Sequence, residues 1–122
     1  MDLIERKKKI LTFLLKKDDQ YTFRDILFNE LDKKRAFMNY EQDDTIKDYN
    51  NKLNEMIINS KINAIKTHTD ILKEQMEAQK NGSKYPSTLS IIERKIYIVE
   101  LQIDVGIYYI LQNKKVKFNL DI

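Results

Sequence analysis

The chain has 122 residues, a net charge of +3, 34% charged and 42% hydrophobic residues, and no cysteine, two glycines and one proline. That size and balance fit one globular domain with its own core and exclude a disordered chain, while the missing cysteines exclude disulfides and thiolate metal sites. So few glycines and prolines leave little material for the tight turns of an all-β fold.

The first expected helix covers about residues 2–17. Leu3, Ile4, Ile10, Leu11, Leu14 and Leu15 share one face, with Phe13 at its edge and the basic run Arg6–Lys9 mostly outside. Asp2 and Glu5 in the first turn and Lys16 and Lys17 in the last suit the helix dipole. Thr22 and Asp25 have capping-box spacing and open a second helix, about 23–38, with Phe23, Ile26, Leu27, Leu31, Phe37 and Met38 as its apolar set.

Thr45 and Asp48 repeat that spacing, and no glycine or proline follows until Gly82, so a third helix is expected over 45–80. Its apolar face moves along its length. Ile46, Tyr49, Leu53, Met56 and Ile57 form one stripe, and Ile58, Ile62, Ile65, Leu72 and Met76 form another, rotated around the axis. Either the helix bends at Asn59–Lys61 or its halves face different neighbours. Gly82 and Pro86 mark the next connection.

The most apolar stretch follows, and it is expected to be a fourth helix over 90–112. Ile92, Ile96, Val99, Ile103, Gly106, Ile107 and Ile110 form one uncharged stripe, and Tyr97, Leu101, Val105 and Tyr108 form a second. Two apolar faces call for neighbours on two sides and place this helix in the middle of the fold. Ser90 and Glu93 have capping-box spacing at its start. Gly106 would allow a close approach, and Glu93, Glu100 and Asp104 read as a solvated charged strip. The β-rich composition admits a strand pair instead, at 96–111 and 116–122, but a strand that long exceeds the usual limit of ~10 residues. Past the helix, Val116, Phe118, Leu120 and Ile122 alternate with polar residues, a half-buried extended pattern over 115–122.

The expectation is therefore an all-α single domain over 1–122: a four-helix up-down bundle with a long third helix and a short extended C-terminal tail. No stretch reaches the ~18 apolar residues of a membrane span and the N-terminus does not resemble a signal peptide, so the expected setting is the cytoplasm, or the host cytoplasm for a viral gene.

The chemistry-bearing residues are sparse. His68 is the only histidine, and Ile65 stands where the Glu-x-x-His spacing of di-iron bundles needs its glutamate, so a half-buried bundle residue is the plainer reading. Gly82-Ser83-Lys84 lacks the second glycine and the preceding strand that a phosphate loop needs. No enzyme activity, cofactor, metal or small-molecule substrate is expected. The expected function is a protein–protein interaction module, a regulator, inhibitor or adaptor that self-associates, with Val116, Phe118, Leu120 and Ile122 as its partner-binding residues. The alternative is a DNA-binding regulator. The first 40 residues hold ten Lys/Arg against seven Asp/Glu, and a helix-turn-helix-like N-terminal pair would present Lys7, Lys8, Lys9, Lys33, Lys34 and Arg35 to nucleic acid. Asp18 and Asp19 in the turn weaken that reading.

Overall fold

The computed structural model describes residues 3–16, 25–33, 44–112, 114, 116 and 118. The protein is all-α, with helices α1 (Leu3–Lys16), α2 (residues 25–33), α3 (Asp44–Lys80) and α4 (Thr88–Leu111). No strand occurs among the described residues, so 96–111 is helix and the strand-pair alternative fails. No helix among them is long and apolar enough to cross a membrane.

α3 runs through Asn59–Lys61 as one helix of 37 residues. Nothing in that stretch removes a backbone donor, so weak helix formers alone do not break it. It ends where sequence placed its end. Gly82 takes φ +84°, its N–H bonds the Gln79 carbonyl at 3.1 Å, and the Ser83 N–H reaches Ala78 at 3.0 Å. This paired closure satisfies the last carbonyls and requires a residue that accepts positive φ.

α4 begins earlier than expected. Its cap is Ser87, whose hydroxyl accepts from the Ser90 N–H at 3.2 Å, so Ser90 lies inside the first turn. Pro86 ends the connection and Ser87 is the first residue after it able to cap, which sets the start without help from Glu93.

α4 is the central element. It packs against α3 and against α1, while α1 and α3 have no direct backbone contact among the described residues. Side-chain partners fall along α3 as they rise along α4: Arg94 meets Gln75 and His68, Asp104 meets Lys61, and Tyr108 and Tyr109 line a cavity with Glu55, Ile58 and Asn59. The two long helices are therefore antiparallel. On one side of α4, Val99, Ile103 and Ile107 pack with Ile10 and Phe13 of α1 and Ile26 and Leu31 of α2, with Ile96 and Ile110 partly buried beside them. On the other, Ile91 and Ile98 meet Leu72 of α3. Ile98 is fully buried although neither expected stripe contained it, and Tyr97 is 43% exposed although the second stripe did. Each fully buried aliphatic side chain in this core contributes about 1.5–3 kcal/mol by its transfer from water.

α1 keeps Ile10 and Leu14 of the expected face inward but is rotated toward Phe13. Ile10 and Phe13 are buried, whereas Ile4 and Leu15 are 66% and 71% exposed. The buried row is centred on positions 6, 10 and 13, one helical stripe, and that row contains Arg6.

Candidate functional site

Among the described residues, three places anchored on α4 bring chemistry-bearing side chains together. The first joins three helices. Asp104 of α4 accepts from Arg6 of α1 at 3.0 Å and from Lys61 of α3 at 2.7 Å, one cation on each carboxylate oxygen. The same Arg6 nitrogen donates to the Glu100 carbonyl at 2.9 Å. The Arg6 side chain is only 11% exposed, the exception in a basic run whose Lys7 and Lys8 are exposed as expected, and its Nε is buried without a hydrogen-bond partner among the described residues. Its place in the Ile10–Phe13 row carries it inward. Glu100 and Asp104 are likewise no solvated strip. Burial pushes the Glu100 carboxyl above the usual carboxylate range, Asp104 adds to that, and the opposing pull of Arg6 and Lys7 does not cancel it.

The second place is the C-terminal end of α4. The Lys114 N–H bonds the Tyr109 carbonyl at 3.0 Å and turns the chain back along its own helix. Phe118 then packs on Gly106, where a methyl group would overlap its Cε1 and Cζ atoms, and joins the core shared by α1, α2 and α4. The close approach at Gly106 is made by an aromatic ring of the same chain. Val116 is half-buried, and Leu120 and Ile122 lie outside the described residues. A cavity of about 220 Å³ opens nearby, lined by Glu55, Ile58, Asn59, Tyr108, Tyr109, Gln112 and Lys114, with the Lys114 ammonium 5.6 Å from the Tyr109 ring centre.

The third place lies between α3 and α4 near their connection. Arg94 donates through Nε to Gln75 Oε1 at 2.9 Å and through its terminal nitrogen to Nδ1 of His68. The half-buried His68 ring meets Tyr97 edge-on, with centroids 4.7 Å apart at 75°. Sequence reasoning assigned Arg94 no role. His68 and Arg94 are 26 positions apart, and no periodicity within one helix links them.

No protein family, curated protein or solved structure matches the chain.

Of the basic residues expected to meet DNA, four lie among the described residues. Lys7 and Lys8 are exposed on α1, Lys9 is paired with Asp25 of α2, Lys33 is exposed at the end of α2, and Lys34 and Arg35 lie outside the described residues. No group of three or more His, Asp or Glu residues among the described residues is placed to hold a metal ion.

Apolar surface is more conspicuous. Leu53, Met56 and Ile57 are 43%, 71% and 44% exposed on one stripe of α3. The end of α4 is level with Glu55–Asn59, so residues 44–54 of α3 run beyond it.

Proposed function

We propose that the protein is a protein–protein interaction module that associates with a second copy through the N-terminal half of α3. The exposed stripe Leu53–Met56–Ile57 supports this reading most directly. At ~1.5 Å per residue, 37 residues span about 55 Å and the 24 of α4 about 36 Å. The excess carries Ile46, Tyr49 and Leu53, and with Met56 just after it these are spaced alternately by three and four residues, the a/d spacing of a helix-pairing seam. Pairing two such helices would cover the apolar side chains of Leu53, Met56 and Ile57, which their own chain leaves exposed.

The test is molar mass by sedimentation equilibrium from micromolar to near-millimolar concentration. A rising mass, returned to that of one chain by Leu53→Glu with Met56→Glu, supports the reading. A single-chain mass at every concentration removes it. DNA binding through the 7–9 and 33–35 clusters has less behind it, because Lys9 is engaged by Asp25. Duplex binding that falls steeply with salt and is lost on changing Lys7, Lys8 and Lys9 to Glu would favour that alternative.

A further inference from the structure

Arg94 is a half-buried cation that meets no carboxylate among the described residues, whereas Arg6, Lys9 and Lys61 each meet an aspartate. Its two bonds go to neutral acceptors on α3, the Gln75 amide oxygen and Nδ1 of His68. These bonds fix the guanidinium plane without bringing a carboxylate of the described residues to it. Of the five N–H donors of an arginine, two are used in this way, and three have no acceptor among the described residues. Because an arginine only donates, Nδ1 of His68 must accept, and the ring carries its hydrogen on Nε2. That supplies a further donor in the same cluster.

The register gathers these groups. His68, Ile71 and Gln75 form one row on α3, and Ser90, Arg94 and Tyr97 form one row on α4. Tyr97 stands 43% exposed against His68. An arginine held in place beside a partly exposed tyrosine has the composition of an interface anchor, and its ordering cost is met before any partner arrives.

We propose that the Arg94–His68–Tyr97 patch is a docking site for a carboxylate of a protein partner, an Asp or Glu side chain flanked by apolar groups that rest on Tyr97. Charge decides the class. One guanidinium, with no second cation in its bonding network, matches a singly charged carboxylate rather than a doubly charged phosphate. The site rests on the reading that the chain works through protein contacts, but it lies on a different part of α3 from the proposed self-association stripe.

The experiment is a nuclear magnetic resonance titration of the full chain, following the Arg94 side chain and the His68 ring. The probes are the peptide acetyl-Leu-Glu-Phe-amide, the same peptide with Gln for Glu, and inorganic phosphate, at matched ionic strength. The expected result is a saturable shift with the Glu peptide, about tenfold weaker binding or more with the Gln peptide, and a similar loss in Arg94→Gln. Gln75→Ala keeps the charge but frees the guanidinium and is expected to weaken binding several-fold. Equal responses to both peptides, binding unchanged in Arg94→Gln, or tighter binding of phosphate would overturn the proposal. The molar mass of Arg94→Gln is expected to match that of the parent chain, so loss of this site and loss of self-association are read separately.

Discussion

Arg6 and Asp104 meet at 3.0 Å across 98 positions of sequence, and Lys61 takes the other oxygen of the same carboxylate. One side chain of α4 thus ties it to both α1 and α3. Removing the anion leaves two cations facing each other, one of them largely buried. Asp104→Ala is therefore expected to destabilise the fold by about 2 kcal/mol, below the loss for a fully buried pair because Asp104 and Lys61 are 31% and 33% exposed. Urea unfolding of Asp104→Ala, Arg6→Ala and the double variant checks this. If the double variant loses the full sum of the singles, the residues are not coupled.

Glu100 predicts a pH dependence of known sign. Its folded-state pKa is raised by burial, so above that pKa the native state carries an ionised, partly desolvated carboxylate that the unfolded chain solvates freely. As pH falls through the raised value, the native state takes up the proton first and this penalty disappears. Glu100→Gln is expected to raise the melting temperature at neutral pH, and the gain should shrink as pH falls into the ordinary carboxylate range. A gain that stayed constant or grew on acidification would contradict the assignment.

Gly106 predicts a change of sign. In the parent chain Gly106→Ala drives a methyl group into the Phe118 ring, and such overpacking is expected to cost about 1–3 kcal/mol. In a Phe118→Ala background the space is free, and the same change should stabilise by up to about 1 kcal/mol because alanine is the better helix former. Thermal unfolding of the four variants reads the reversal directly.

The two serines at the start of α4 separate just as plainly. Ser87→Ala removes the hydroxyl that accepts from the Ser90 N–H and is expected to cost about 1 kcal/mol. Ser90→Ala leaves that backbone donor and its acceptor in place, so its effect should stay within about 0.5 kcal/mol. Comparable losses in both would show that the cap lies elsewhere.

Much of the fold is legible because it depends on features local in sequence. The extent of α3, its closure at Gly82 and the two-sided character of α4 follow from breakers and from spacing within one helix. The passage of α3 unbroken through Asn59–Lys61 does not, because weak helix formers there allow either a bend or a straight helix. The inward turn of Arg6 was also written there, in its i, i+4 and i+7 relation to Ile10 and Phe13, but treating Arg6–Lys9 as one basic block hid it. Ser90 drew the cap because Glu93 follows three residues later, although Ser87 follows the proline. The candidate sites were less accessible. Gly106 announces a close neighbour without saying which, and Phe118 reaches it only because the chain reverses after α4. The Arg94–His68 bond depends on how α3 and α4 are aligned, which no pattern within either helix specifies.

The central place of α4 has a consequence for how the molecule assembles. α3 and α4 are joined by a short connection and close on each other locally, whereas α1 finds its partner 94 to 98 positions away. Closing the short loop loses less chain entropy, so the hairpin is expected to form first and give α1 and α2 a surface on which to dock. Substitutions at Leu72 or Ile98 should then slow folding, and those at Ile10 or Phe13 should chiefly speed unfolding. During synthesis the order is reversed. The apolar faces of α1 and α2 leave the ribosome well before α4 exists to cover them, and for that interval the N-terminal third of the chain is the part most in need of a chaperone.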